Sequence, residues 1–156
     1  MLLLRSIFFT FLFPGTMTVL IPYLIFAWGE NERSVGVIRY LGLPLILIGA
    51  FGLIWSIWQF FSEGRGTLAP VGPPKNLVVK GLYRYVRNPM YASVLSTLLG
   101  EAIYFGSLGI LIEAITFFLI THSFIVFYEE PFLKKEFGDT YEKYLHTVGR
   151  WIPRRP

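Results

Sequence analysis

Charged positions divide the chain into long apolar runs and polar connectors. Ser6 to Gly29 carries no charge over 24 residues, and Tyr40 to Ser62 carries none over 23. A helix of about 20 apolar residues crosses about 30 Å of hydrocarbon, so both runs predict membrane spans. Pro14-Gly15 and Pro22 interrupt the first run and predict a kink. That run is too long for a removable leader and has no small-residue cleavage site near Ala27-Trp28. Asn88 to Gly100 and Ala114 to Tyr128 are uncharged but shorter, with Glu101, Gly106-Ser107 and Glu113 between them. They predict a hairpin: Pro89 to about Tyr104, a tight turn at Gly106-Ser107, then Leu108 to about Tyr128. Pro89 suits a first helical turn, where its missing N–H costs nothing. The expected fold is all-α and integral to the membrane, with about four transmembrane helices, the last two forming a helical hairpin.

The polar segments are more than connectors. Residues 63–88 contain enough Gly and Pro to stay irregular, yet they include Leu77, Val78, Leu82, Tyr83 and Val86, which favour burial. An irregular loop of this length is more often functional than a spacer. Beyond Tyr128, apolar residues at 133, 137, 141 and 144/145 recur at helical spacing. They predict a cytosolic amphipathic helix on the membrane surface, broken near Gly138-Asp139. Trp151 is expected at the interface, with Arg150, Arg154 and Arg155 among headgroups.

Composition strengthens the membrane reading. Of 156 residues, 54% are hydrophobic and 15% charged, with a mean hydropathy of +0.55. Soluble domains carry about 25% charge. Cysteine is absent, which excludes a disulfide scaffold, a thiol nucleophile and a Cys-ligated metal, and no metal set is expected. The net charge is +4. The basic residues flank apolar spans, so they point to membrane lipids and not to nucleic acid. Arg65, Lys75, Lys80, Arg84 and Arg87 lie in the 63–88 loop against Glu63 alone, while the hairpin turn has no basic residue. The positive-inside rule then places that loop and both termini in the cytosol, and four spans require the termini to share a side.

Candidate chemistry gathers at the cytosolic helix ends. Gly64-Arg65-Gly66 closes the second run, and a Gly-x-Gly allows close backbone approach to a ligand, although glycines are common at helix ends. Arg87-Asn88-Pro89-Met90-Tyr91 opens the third span with an expected Asn88 N-cap and free N–H groups suited to a carboxylate. Glu129-Glu130 ends the fourth, where the helix dipole disfavours anions unless a cation offsets them. Arg84, Arg87, Arg150 or a cationic ligand would do so. Ionisable groups inside spans are functional candidates. His122 lies seven residues before Glu129, on nearly the same face of a regular helix, and a satisfied buried histidine is an equal alternative. Glu101 and Glu113, six residues either side of Ser107, fit a structural role better. Ser93, Thr97 and Gly100 form a small-residue stripe that serves equally for helix packing or for a lipophilic substrate. The Gly49, Gly52, Ser56 stripe reads as packing.

As an ordered set, Gly64-x-Gly66, Gly81-Leu-Tyr83-Arg-Tyr85-Val-Arg87-Asn88-Pro89-Met90-Tyr91, Tyr128-Glu129-Glu130-Pro131-Phe132 and Phe137-Gly138-x-x-Tyr141-x-x-Tyr144 up to Arg150-Trp151-Ile152-Pro153 resemble the membrane methyltransferases related to isoprenylcysteine carboxyl methyltransferase and phosphatidylethanolamine N-methyltransferase. The resemblance implies S-adenosylmethionine as cofactor, held on the cytosolic side and partly covered by the C-terminal segment. It implies cofactor contacts at Gly64, Gly66, Tyr83, Arg87, Asn88, Pro89, Tyr91, Glu129 and Glu130. The chemistry of methyl transfer itself puts catalytic work at Glu130, Arg87 and His122, with Ser93, Thr97 and Arg150 toward a lipid or other lipophilic substrate. Asn88 stands where the prenylcysteine branch typically has His, and the Asn88-Pro-Met-Tyr91 and Tyr128-Glu-Glu-Pro-Phe132 spellings look closer to the phospholipid branch, whereas the overall loop looks closer to bacterial and archaeal prenylcysteine-like members. The chain then reads as a single membrane domain, 1–156, with two N-terminal spans in 1–62 and a cofactor-binding core in 63–153.

Two other readings compete. A sterol-reductase-like enzyme using NADPH shares a related Arg-x-Pro-x-Tyr pattern, but 156 residues leave little room for a dinucleotide-binding half. A non-enzymatic membrane scaffold would not need Gly66, Asn88 and Glu130 together.

Overall fold

The computed structural model describes residues 12–28, 35–64 and 77–154. Every regular element among them is helical, apart from an isolated parallel bridge between Val86 and Gly149. Helix α1 (Leu12–Ala27) is apolar, and its middle widens into a π turn at Thr16–Leu20. Pro22 accounts for this, because it lacks the N–H that would bond back to the Thr18 carbonyl and its ring crowds that oxygen. Thr18 Oγ1 donates to Pro14 O at 2.8 Å within the same stretch. The interruption expected at the prolines is thus a widened turn. Residues 1–11, where the first apolar run begins, lie outside the described residues.

Helix α2 (Gly42–Gly64) is entered through a 3-10 turn, Gly36–Leu41. Helices α3 (Pro89–Phe105) and α4 (Leu108–Phe124) form the hairpin, with the turn where the sequence placed it. Gly106 adopts φ 63°, a left-handed conformation that glycine reaches without a Cβ penalty. Ser107 caps α4 by accepting from the Ile110 N–H at 3.2 Å. Along α3, Val94, Leu98 and Ala102 recur every fourth residue and meet Ile110, Ala114 and Phe117 of α4. Met17, Ile25 and Leu53 pack against this cluster from α1 and α2.

Small residues mediate the α2–α3 contact. Gly42 faces Gly100, and Gly49 and Gly52 face Ser93 and Thr97. A Cβ at Gly49 would lie 2.6 Å from Ser93 O and 2.7 Å from Thr97 N. Ser96 Oγ donates to Leu45 O at 2.9 Å, and Ser56, fully buried, donates to Gly52 O at 2.6 Å. The large side chains point the other way: Leu47, Ile48, Phe51, Ile54 and Trp58 are 64–73% exposed. Small residues inside and large apolar residues outside is the arrangement of helices packed in lipid. Gly36–Gln59 and a stretch within Leu108–Thr147 are long and apolar enough to cross a membrane, whereas α1 and α3 are shorter.

Beyond α4 the chain does not stop at the two glutamates. Ile125–Glu129 forms a π turn that passes directly into α5 (Glu130–Thr147). The expected helix C-terminus at Glu129-Glu130 is therefore a continuous junction, and the dipole penalty expected there does not apply. The break expected near Gly138 is present, as non-helical φ 51° and ψ −131° inside α5. Tyr141, Tyr144 and Val148 pack there with Leu77, Leu133 and Phe137.

Candidate functional site

The α4–α5 junction, the segment before α3 and the chain beyond α5 meet in one place. Residues 81–84 form a 3-10 turn started by Gly81 at φ 58°. Gln59, near the C-terminal end of α2, accepts the Leu82 N–H on Oε1 at 2.9 Å, and a Cβ at Gly81 would collide with its amide. Tyr144 donates its hydroxyl to Tyr83 O at 2.5 Å. The tail runs alongside residues 85–88: Arg87 N–H donates to Gly149 O at 2.9 Å, and Arg154 N–H to Tyr85 O at 3.1 Å. These contacts fix the backbone that carries Arg87 and Asn88.

Asn88 occupies the N-cap position of α3, but its side chain makes no capping bond. Its Nδ2 instead donates to Arg150 O at 3.3 Å. The expected cap is thus replaced by a tie to the tail, because Arg150 O offers the amide an acceptor that lies outside the helix. Pro89 is buried in the first turn of α3, as its fixed φ favours, and Tyr91 packs against Phe117.

Glu130 is the hub. Arg87 Nη1 and Arg150 Nε each donate to its Oε1 at 2.8 Å, and Arg150 Nη2 donates to Oε2 at 2.8 Å. Arg87 and Glu130 side chains are only 11% and 12% exposed, so the pair is shielded from water. Burial pushes the Glu130 pKa up, but the Arg150 hydrogen bond and the Arg87, Arg150 and Lys134 charges outweigh it and hold the carboxyl below its ordinary value. Beside it, burial first and the Glu130 charge second push Glu129 up to about 7. Glu129 Oε2 is buried with no hydrogen-bond partner among the described residues, and so is Arg87 Nε. Tyr83 and Tyr91 are within electrostatic reach of Glu129.

His122 belongs to a separate contact on α4. Its Nδ1 accepts the Trp151 indole N–H at 3.1 Å, and Phe118 packs on both rings. The seven-residue relation to Glu129 presumed an unbroken α-helix, which the π turn at 125–129 interrupts. Ser93 and Thr97 are buried between α2 and α3, where Thr97 Oγ1 donates to Ser93 O at 3.1 Å. Helix packing accounts for both. Gly64 is the last residue of α2, and Gly66 lies outside the described residues.

The structure therefore brings together Tyr83, Arg87, Asn88, Pro89, Tyr91, Glu129, Glu130 and Arg150. Sequence reasoning missed Gln59, although a lone amide late in an otherwise apolar run was a usable signal. It also missed Tyr141, which is buried within electrostatic reach of Glu130, Arg87 and Glu129.

A 63-residue stretch is 35% identical to an uncharacterized protein of Haemophilus influenzae, covering 40% of this chain and all of that protein. A stretch of 83 residues is 34% identical to the protein-S-isoprenylcysteine O-methyltransferase of Schizosaccharomyces pombe, covering 51% of this chain and 34% of the yeast protein. This chain thus spans about a third of that enzyme's length. No solved structure matches. The profile of the phospholipid methyltransferase family matches residues 37–140, from the 3-10 turn before α2 to the break in α5. The chain belongs to the phospholipid methyltransferase family.

Proposed function

We propose that this protein is a multi-pass membrane enzyme that transfers a methyl group from S-adenosylmethionine to a lipophilic acceptor, phospholipid or isoprenylcysteine-like, at the cytosolic face. Family membership supports membrane methyl transfer. The observation that carries the finer reading is the meeting of Arg87, Asn88, Glu129 and Glu130 at one helix junction, with two polar atoms left over. Glu129 Oε2 can accept from, or attract, a cationic or hydroxylic group, and Arg87 Nε can donate to an anionic one. A zwitterionic sulfonium nucleoside matches both, so the residues present fit the cofactor.

S-adenosylmethionine supplies, when bound, an activated methyl whose neutral thioether leaving group needs no acid catalyst. The residues' share is to bind, orient and exclude water. Arg87, held by Glu130, keeps its Nε fixed for a carboxylate or phosphate. Glu129 holds a cationic partner in a shielded place, where attraction exceeds its strength in water. His122 accepts from Trp151 on Nδ1, so its proton sits on Nε2 and it has no free lone pair while the tail is docked. Proton removal from an amine acceptor then falls to Glu129 sooner than to His122. We place α1 to α4 as four spans, with residues 63–153 as the cofactor-binding part and the 63–88 loop in the cytosol. The lipid-like packing and the basic residues of that loop support this.

The deciding experiment is equilibrium binding of labelled S-adenosylmethionine to the detergent-purified full chain. Saturable binding is expected, and its absence ends the reading. NADPH binding in its place favours the reductase alternative. For orientation, a single cysteine at exposed Lys143 in this cysteine-free chain is expected to react from the cytosolic side only.

A further inference from the structure

The tail beyond α5 is held in two ways of different chemistry. The inner hold is charged: Glu130 clamps Arg150 through both carboxylate oxygens, and Asn88 Nδ2 donates to Arg150 O. The outer hold is neutral and lies at the next residue. Trp151 donates its indole N–H to His122 Nδ1, and the Phe118 ring packs on both, its centroid 5.6 Å from that of His122 and 5.2 Å from that of Trp151. Past Trp151 the tail is tied back by the Arg154 N–H on Tyr85 O.

An indole nitrogen is a donor only, so the outer hold needs a lone pair on Nδ1. A neutral imidazole protonated on Nε2 offers one. An imidazolium has an N–H on both nitrogens and would aim one of them at the indole N–H. The docked tail end therefore carries one proton fewer at His122 than the released one, and docking weakens as pH falls. Imidazole ordinarily changes charge between about pH 5 and 8. Phe118 does not alter the sign, because it lies one turn before His122 on the same helix and flanks its ring whether the tail is docked or released. Among the described residues, the rings packed on His122 are those of Phe118 and Trp151, and neither titrates. The nearest charged side chains along the chain are Glu113 and Glu129 on either side of His122, and Arg150 and Arg154 on the tail. Arg150 is committed to Glu130, whose carboxyl is held below its ordinary value, so the inner hold outlasts the outer one as pH falls. Glu129, pushed up to about 7, changes charge in the same range as an imidazole, and the experiment has to separate the two.

We infer that His122 is a proton-sensitive latch for the tail end: neutral, it holds Trp151 and keeps residues 151–154 docked on α4 and on the segment before α3; protonated, it releases them while Arg150 stays clamped. Release takes the Arg154 N–H off Tyr85 O, so acid opens one flank of the α4–α5 junction. This goes beyond the methyltransferase reading and stands or falls independently of it.

The test attaches a spin label at Ile152→Cys in the full, otherwise cysteine-free chain, in nanodiscs of neutral phosphatidylcholine, and follows label mobility from about pH 8 to about pH 5. Ile152 is 78% exposed, so a label there faces outward. The label is expected to be immobilised at the alkaline end. A mobile fraction should grow on acidification with a one-proton midpoint, the docked-to-released ratio falling about tenfold per pH unit. His122→Asn keeps a neutral acceptor near the Nδ1 position and cannot take up a charge, so its label should stay immobilised throughout. His122→Phe has no acceptor, and its label should be mobile throughout. In the otherwise wild-type labelled chain, the His122 imidazole nitrogen signals, identified by their loss in His122→Asn, should titrate with the same midpoint as the label. A His122→Asn chain that responds to pH as wild type does overturns the inference and assigns the response to Glu129. A label that does not respond across the range overturns it too, as does an imidazole midpoint that differs from that of the label.

Discussion

Trp151 donates its indole N–H to His122 Nδ1 at 3.1 Å, joining the tail to the C-terminal half of α4 across 29 positions of chain. The two rings lie 24° from parallel with centroids 6.3 Å apart. Trp151→Phe keeps the aromatic surface and loses the hydrogen bond, for an expected cost of about 1 kcal/mol. Trp151→Ala also loses the packing on Phe118, for about 2 kcal/mol in all. Denaturant unfolding in detergent measures both, and equal costs would mean that the hydrogen bond is the whole of the anchor.

Gly81 combines a left-handed backbone with direct contact against the Gln59 amide. Gly81→Ala is expected to cost about 1–2 kcal/mol from the backbone alone, and more from the collision. Adding Gln59→Ala makes room for the new methyl. The double variant should therefore be less destabilised than the sum of the two singles. Additive costs in unfolding measurements would remove the proposed contact.

Glu130 carries the pH dependence. Its pKa is held below the ordinary 4.5, so the clamp contributes fully above that value and is lost as pH falls through the lower folded value. Because the Glu130 charge also helps raise Glu129 to about 7, the comparison is made in a Glu129→Gln background, where the stability cost of Glu130→Gln should stay level from about pH 7 to about pH 5 and narrow below 4.5. A difference that narrows as pH rises would have the wrong sign for a paired carboxylate.

Glu129→Gln should behave in the reverse way to a damaging mutation. It neutralises a carboxylate whose buried Oε2 has no partner among the described residues, so the unliganded protein should be unchanged in stability or more stable by about 1 kcal/mol. Thermal unfolding without cofactor checks this, and a large loss of stability would point to a partner for Oε2 within the fold.

The lipid-like packing predicts an asymmetry along α2. Gly49→Leu forces side-chain atoms into Ser93 O and Thr97 N of α3 and should cost about 2–3 kcal/mol or separate the helices. Leu47→Ala, on the outward face, should change stability by less than about 0.5 kcal/mol. Unfolding in micelles distinguishes the two.

The hairpin was fully legible in the sequence, because Pro89 and Gly106-Ser107 punctuate it with local chemistry that needs no tertiary context. The break at Gly138 was legible for the same reason. The start of α3 was located and the two acids were set at the far end of the fourth apolar run, so Arg87, Asn88, Glu129 and Glu130 could be grouped, although the chain continues past the acids as helix. Their pairing could not be read, since a carboxylate beside three candidate arginines gives no preference for Arg87 and Arg150 over Arg84. The π turn escaped because no single residue in Ile125–Glu129 signals it. Asn88 misled for a physical reason: capping propensity is local, and the amide found a better acceptor in Arg150, 62 positions away.

The widened turn at Ile125–Glu129 has a consequence for chain length. It acts as a one-residue insertion into an otherwise regular rod. Deleting a single residue there would restore ordinary i→i+4 pairing with the flanking segments keeping their facing, whereas deleting a residue of α4 before it would rotate everything after that point by about 100° around the axis. The two acids would then face a different neighbour altogether. A shorter chain is thus tolerated within the turn, where the carboxylates stay aimed at the junction, and not in the regular helix before it.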